Sequence, residues 1–163
     1  MKFTDLKVSR FIPGASDEVF DVWFDHESPG GPWHGAKKVI VNLAVDGMFY
    51  FGIERGALEK KGIVVHADGL LGHFGRFTAI DRPHAVEHTW MSEHTHGIET
   101  AVSVTFEPRD GGTQMTIVHR GVPDDENGRR HEGGWTALLA RLEQHFGRRR
   151  GRVVRSEATG DAT

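Results

Sequence analysis

The chain contains no cysteine, which excludes disulfides, thiolate metal sites and cysteine nucleophiles together. No apolar stretch approaches the roughly 20 residues that a membrane-crossing helix needs, so membrane insertion is not expected. Charge of one sign is also lacking. The net charge is −3, and residues 147–163 hold five arginines against Glu157 and Asp161, leaving a mildly acidic body. Such a body argues against a nucleic-acid partner. The opening MKFTDLKVSRFIPG has no basic start, apolar block and small-residue cleavage site, so a cytoplasmic protein is expected.

Several catalytic signatures are missing as well. There is no Gly-x-Ser-x-Gly elbow, no Gly-x-Gly-x-x-Gly turn between a strand and a helix, and no phosphate loop ending in Gly-Lys-Ser/Thr. Eleven histidines invite a metal reading, with His94 and His96 near His84 and His88. No His-Glu-x-x-His pattern or carboxylate at ligand spacing accompanies them, so neither a metal nor another cofactor is expected.

What is present reads as one domain over residues 1–147, followed by a basic tail, 148–163, whose small and polar residues cannot build a core. Leu6, Val8, Arg10 and Ile12 alternate with Lys7, Ser9 and Phe11, a strand ended by Pro13-Gly14. Ser16 stands where a helix N-cap belongs, ahead of Asp17, Glu18 and the apolar Val19, Phe20, Trp23 and Phe24. The Gly- and Pro-rich bend from Asp25 to Gly35 carries Trp33, which should fold onto the core or cap a pocket.

From Lys37 onward about six strands follow, the last two joined by Arg109-Asp110-Gly111-Gly112, a strong hairpin signal. Residues 55–71 read either as a long hairpin connection or as one more strand, GIVVHA. Trp135, Leu138, Leu139, Leu142 and Phe146 then form the apolar stripe of a closing helix. Gly133-Gly134, just before that stripe, suggests a close approach of the helix to the sheet. The sum is an α+β arrangement in which one helix covers a bent antiparallel sheet.

These segments together resemble the START-like, or SRPBCC, superfamily, in its branch related to the activator of heat shock protein 90 ATPase. The resemblance spans about residues 6–147. It rests on Arg10-Phe11-Ile12, the run Ser16 to Asp21, Trp33, Asp46-Gly47-Met48-Phe49, the run Gly75 to Pro83, and Thr89-Trp90. It continues through Gly112-Thr113, Met115, Ile117, His119-Arg120-Gly121 and Gly134-Trp135. The chain departs from that branch in having Asp46-Gly47 where Gly-Gly is usual, and in a longer stretch from Gly56 to Gly72.

The resemblance implies a helix-grip fold, like that of the birch pollen allergen, with a cavity between the sheet and its long C-terminal helix. A small hydrophobic molecule is then the expected partner, bound by Trp33, Phe49, Phe51, Phe77, Trp90, Met115, Ile117, His119, Trp135 and Leu139, in a monomer or homodimer. Period-two alternation does place Met115, Ile117 and His119 on one strand face, though the same pattern describes a packed core. His119 is either a polar group of the cavity, able to exchange a proton near neutral pH, or a satisfied structural histidine.

Two other functions fit the resemblance. A cyclase or dehydratase would use a cavity histidine and a second polar group such as Tyr50, Arg76 or Glu99. A co-chaperone would stimulate an ATPase, as the family name implies.

Overall fold

The computed structural model describes residues 1–54 and 69–160, with residues 151–160 as backbone alone. Its strands are β1 (Phe3–Ile12), β2 (Lys38–Val41), β3 (Met48–Glu54), β4 (Leu70–Asp81), β5 (Ala85–Ser92), β6 (Thr100–Arg109) and β7 (Gly112–Pro123). Helix α1 (Ser16–Phe24) follows β1, a single 3-10 turn (Glu93–Thr95) follows β5, and helix α2 (Glu126–Gly160) ends the chain. The strands make one antiparallel sheet in the order β1-β7-β6-β5-β4-β3-β2. All neighbours are consecutive in sequence except β1 and β7. The chain therefore crosses from one edge to the other between β1 and β2, and α1 lies in that crossing.

The sheet is long-stranded and curved. Register shifts between Thr4 and Leu6 in β1 and between Phe77 and Ala79 in β4 add the local twist that lets it wrap. The β6–β7 turn places Asp110 at φ 49° and Gly111 at φ 76°. Two consecutive left-handed residues match the twist of the strands they join, and Asp-Gly tolerates that backbone. The extra strand or connection considered for residues 55–71 falls, up to residue 68, outside the described residues; Leu70 and Leu71 begin β4.

Helix α2 lies over the concave face. Trp135, Leu139, Leu142 and Phe146 are buried at steps of four, three and four, the spacing of one helical face. They meet Ile12, Val102, Val104, Phe106, Met115 and Ile117 from the strands, and Val19, Phe20, Trp23 and Phe24 from α1, in one core cluster. Each such side chain taken fully out of water contributes about 1.5–3 kcal/mol. An ion pair from Arg10 on β1 to Glu143 on α2 ties helix to sheet at the rim.

Two expectations are corrected at the level of local geometry. The N-cap of α1 is Ala15, with no side-chain cap. Ser16 sits inside the helix and donates to Thr113 Oγ1 at 2.9 Å, since the Thr113 hydroxyl is itself given to the Gly14 carbonyl at 2.8 Å. The close approach of α2 is made by Gly128, where an added Cβ would fall 1.8 Å from the Pro123 carbonyl oxygen. At Gly133 and Gly134 an added Cβ would meet nothing within 4 Å. The backbone of α2 also continues past residue 147, and Arg149 stacks over Phe146 and reaches Glu18 at 3.5 Å.

Candidate functional site

A cavity of about 500 Å³ lies between the first half of α2 and the sheet at β3, β4 and β5. The connection from α1 to β2 closes one side with Pro32 and Trp33, and the 3-10 turn closes another with His94. Ile53 and Leu71, opposite each other on β3 and β4, line the sheet side together with His73 and Trp90. Helix α2 contributes Arg130, His131, Gly134, Trp135, Leu138 and Arg141. These positions recur at helical spacing, so one face of the helix serves the cavity while the adjacent Leu139–Leu142–Phe146 face serves the core.

The local sequence explains each wall. Trp33 is brought inward by the Pro- and Gly-rich bend and stacks on Phe51 at 3.9 Å between ring centroids, nearly parallel. The bend is held against α2 by Arg141, which donates to the Pro32 carbonyl at 3.0 Å. Trp90 points inward because β5 alternates, with Val86, His88, Trp90 and Ser92 buried. Its ring lies 4.9 Å from that of Trp135 and 6.2 Å from that of Trp33.

The charged lining groups sit at the rim and are engaged. Glu54 pairs with Lys37 at 3.4 Å, and Arg130 with Glu126 at 3.3 Å. The interior is lined by aromatic and aliphatic side chains, with histidines among them. His73 is buried and its Nδ1 meets the Phe51 carbonyl at 3.1 Å. His131 is buried, its Nδ1–H donates to the Gly128 carbonyl at 2.8 Å, and burial lowers its pKa.

Of the residues expected at the site, Trp33, Trp90 and Trp135 line this cavity. Phe49, Phe51, Phe77, Met115, Ile117 and Leu139 stand in the core cluster instead, two per cent exposed or less. His119 lies behind Trp135 in a closed relay. The Trp135 indole donates to its Nδ1 at 3.1 Å, its Nε2–H donates to Thr100 Oγ1 at 2.6 Å, and Thr100 passes its own hydrogen to the Trp90 carbonyl at 2.7 Å.

Burial, with His131 and His88 nearby, pushes the His119 pKa down to about 3. The neutral ring braces the Trp135 indole, which matches the satisfied structural histidine of the two readings given above. Among the described residues, no three His, Asp or Glu side chains come together as a metal site requires.

His73, His94, His131, Leu138 and the two rim arginines were not anticipated. His131 was readable in principle, since it precedes Trp135 by one helical turn and so shares its face.

This architecture, a curved antiparallel sheet gripped by one long C-terminal helix, is the helix-grip fold. The model of the family described as Activator of Hsp90 ATPase homolog 1-like protein matches residues 15–147. The chain belongs to this family. It falls in the START-like, or SRPBCC, superfamily.

Among solved structures, the fold is similar to an HSP90 activator from Plasmodium falciparum, with 18% identity, 88% of this chain and 96% of that one covered, and a TM-score of 0.66. A protein from Rhizobium leguminosarum is 20% identical over 90% and 96% of the two chains, also at 0.66. The protein CalU16 from Micromonospora echinospora is 14% identical over 96% and 84%, at 0.63. No curated protein matches the chain.

Proposed function

We propose that this protein binds a small, largely apolar molecule in the cavity between α2 and strands β3–β5. The observation that carries the reading is the cavity of about 500 Å³ walled by Trp33, Trp90 and Trp135. That volume lies in the range of small-molecule sites, and tryptophan walls supply large, rigid apolar area at little entropic cost. Family membership is consistent with it. The reading is of binding, and it is supported by His119, one of the histidines a cyclase could use, having both ring nitrogens committed behind Trp135.

Gly134 provides the test, because it lines the cavity and an added side chain there meets open space. Gly134→Leu places an apolar side chain into that space while improving helix propensity by about 1 kcal/mol. The substituted protein should melt at the same or higher temperature than the natural chain. It should also lose the ligand-dependent rise in melting temperature that the natural chain shows against a panel of apolar aromatic compounds, and any apolar mass seen with it in native mass spectrometry. A panel that shifts both proteins equally would place binding elsewhere, and one that shifts neither would end the reading.

A further inference from the structure

Strand β2 is one edge of the sheet, and among the described residues no strand pairs with its outer side. An edge strand presents unpaired N–H and C=O groups, which proteins protect with charges, prolines or bulges. The opposite edge is protected in this way: β1 carries Asp5, Lys7 and Arg10 and a register shift between Thr4 and Leu6. β2, Lys38-Val39-Ile40-Val41, has one charge and an unbroken register. That charge does not guard the edge, because the Lys38 ammonium is drawn inward over the Tyr50 ring of β3, 5.9 Å from its centroid.

The hydrogen bonds of β3 fix which backbone groups of β2 face outward. Phe77 N–H donates to the Gly47 carbonyl at 2.9 Å, and Asn42 N–H to the Met48 carbonyl at 3.0 Å. Bonding alternates along an antiparallel strand, so from Gly47 onward odd-numbered residues bond β4 and even-numbered ones bond β2. Ile40, opposite Tyr50, therefore bonds inward. Val39 and Val41 turn their N–H and C=O groups to the open edge.

This edge is complementary to itself. Val-Ile-Val reads the same in both directions. A second copy laid antiparallel about Ile40 sets Ile40 against Ile40, Val39 against Val41 and Lys38 against Asn42, with no lysine opposite a lysine. Val39 and Val41 of the two copies then exchange four N–H···O bonds around the two-fold axis. The surroundings suit such a contact. Ile40, Leu43, Val45 and Met48, on the strand, the turn after it and the start of β3, are 42–62% exposed, and exposed apolar residues gathered in one place mark an interaction surface. The same register brings Lys37 and Lys38 of one copy beside the turn of the other that carries Asp46, a largely exposed carboxylate.

We infer that β2 pairs with β2 of a second copy of this chain, antiparallel and centred on Ile40, to form a symmetric dimer whose sheet runs continuously through both copies. A two-fold contact of this kind closes after two copies. The apolar side chains, at roughly 100 Å² of exposed surface apiece, and the strand backbone bury on the order of 1,000 Å² in total, the lower limit for a specific interface, so the dimer is of about micromolar strength. The pairing is independent of what the cavity holds.

Sedimentation velocity of the full chain from about 5 to 500 µM, a span that brackets such a constant, tests it. The mass should climb from 18.1 kDa to twice that value. The amides of Val39 and Val41 should exchange with deuterium more slowly as concentration rises, while that of Lys7 on β1 should not change. Ile40→Lys sets two charges against each other on the axis and should weaken the dimer by more than about tenfold. Because Ile40 is already exposed, its melting temperature at low concentration should stay that of the natural chain. The chain has no cysteine, so Ile40→Cys supplies a single thiol, which should oxidise to a covalent dimer where Lys7→Cys does not.

A natural chain that stays at 18.1 kDa throughout would overturn the pairing. So would a dimer that leaves Val39 and Val41 exchange unaltered, since its contact lies elsewhere. Species that keep growing beyond two copies would overturn the symmetric arrangement in favour of β2 meeting β1 end over end. These three outcomes are read from the natural chain, whether or not a variant folds.

Discussion

Two buried histidines, His88 and His119, make the protein's stability depend on pH in a direction the individual residues dictate. Burial pushes their pKa values down to about 4 and about 3, against about 6.5 for an unfolded chain. Below pH 6.5 the unfolded state takes up protons that the folded state refuses. Stability is therefore full above about pH 6.5 and is lost as pH falls toward 4, by on the order of 1.4 kcal/mol per pH unit for each ring. The urea midpoint should fall between pH 7 and pH 5.5, before most carboxylates titrate, and His88→Gln should flatten that fall. A midpoint constant over this interval would mean that water reaches the rings. At this scale the sequence was half legible. That Trp33, Trp90 and Trp135 would share one space was implied by the family resemblance, while the bend, the alternating strand and the helical stripe indicated only that each is drawn inward. That Met115, Ile117 and Leu139 stand outside that space follows from how deeply α2 sinks onto the strands, which no local pattern encodes.

Elements were more legible than residues, because strand alternation and the helical stripe are periodic and turn chemistry is local. The Asp110-Gly111 hairpin and the Trp135-to-Phe146 stripe are where the sequence puts them. Glycines in α2 misled, since a glycine excused by close contact looks in sequence like one that faces open space. That difference is testable. Gly133→Ala, in a helix and with nothing within 4 Å, should stabilise by about 0.5–1 kcal/mol. Gly128→Ala would force its Cβ against the Pro123 carbonyl oxygen and should destabilise by about 1–3 kcal/mol, as overpacking does. Chemical denaturation of the two variants checks the opposite signs. Stabilisation by Gly128→Ala would mean that the start of α2 can lift from β7 without loss.

On the scale of the whole molecule, the fold class and the wrapping of one helix by one sheet were legible. Their basis is a count of strands, a single long amphipathic helix and the family resemblance, now joined by the match over residues 15–147. The cavity itself was expected only from that resemblance, because a void is set by what all the walls leave unfilled. One global feature carries a further consequence. The four tryptophans come from α1, the following bend, β5 and α2, and each ring stands within 6.4 Å of the next along Trp23, Trp33, Trp90 and Trp135. All are buried. Light absorbed by one indole is shared along this row, so the molecule glows as a single lamp rather than four. Its emission should be blue and move to the red in one step with urea, at the midpoint at which helical circular dichroism is lost; a red shift that precedes the loss of helix would show α2 outlasting the sheet. A guest resting against Trp90 would dim the whole row at once, giving the protein an unlabelled optical gauge of its own occupancy.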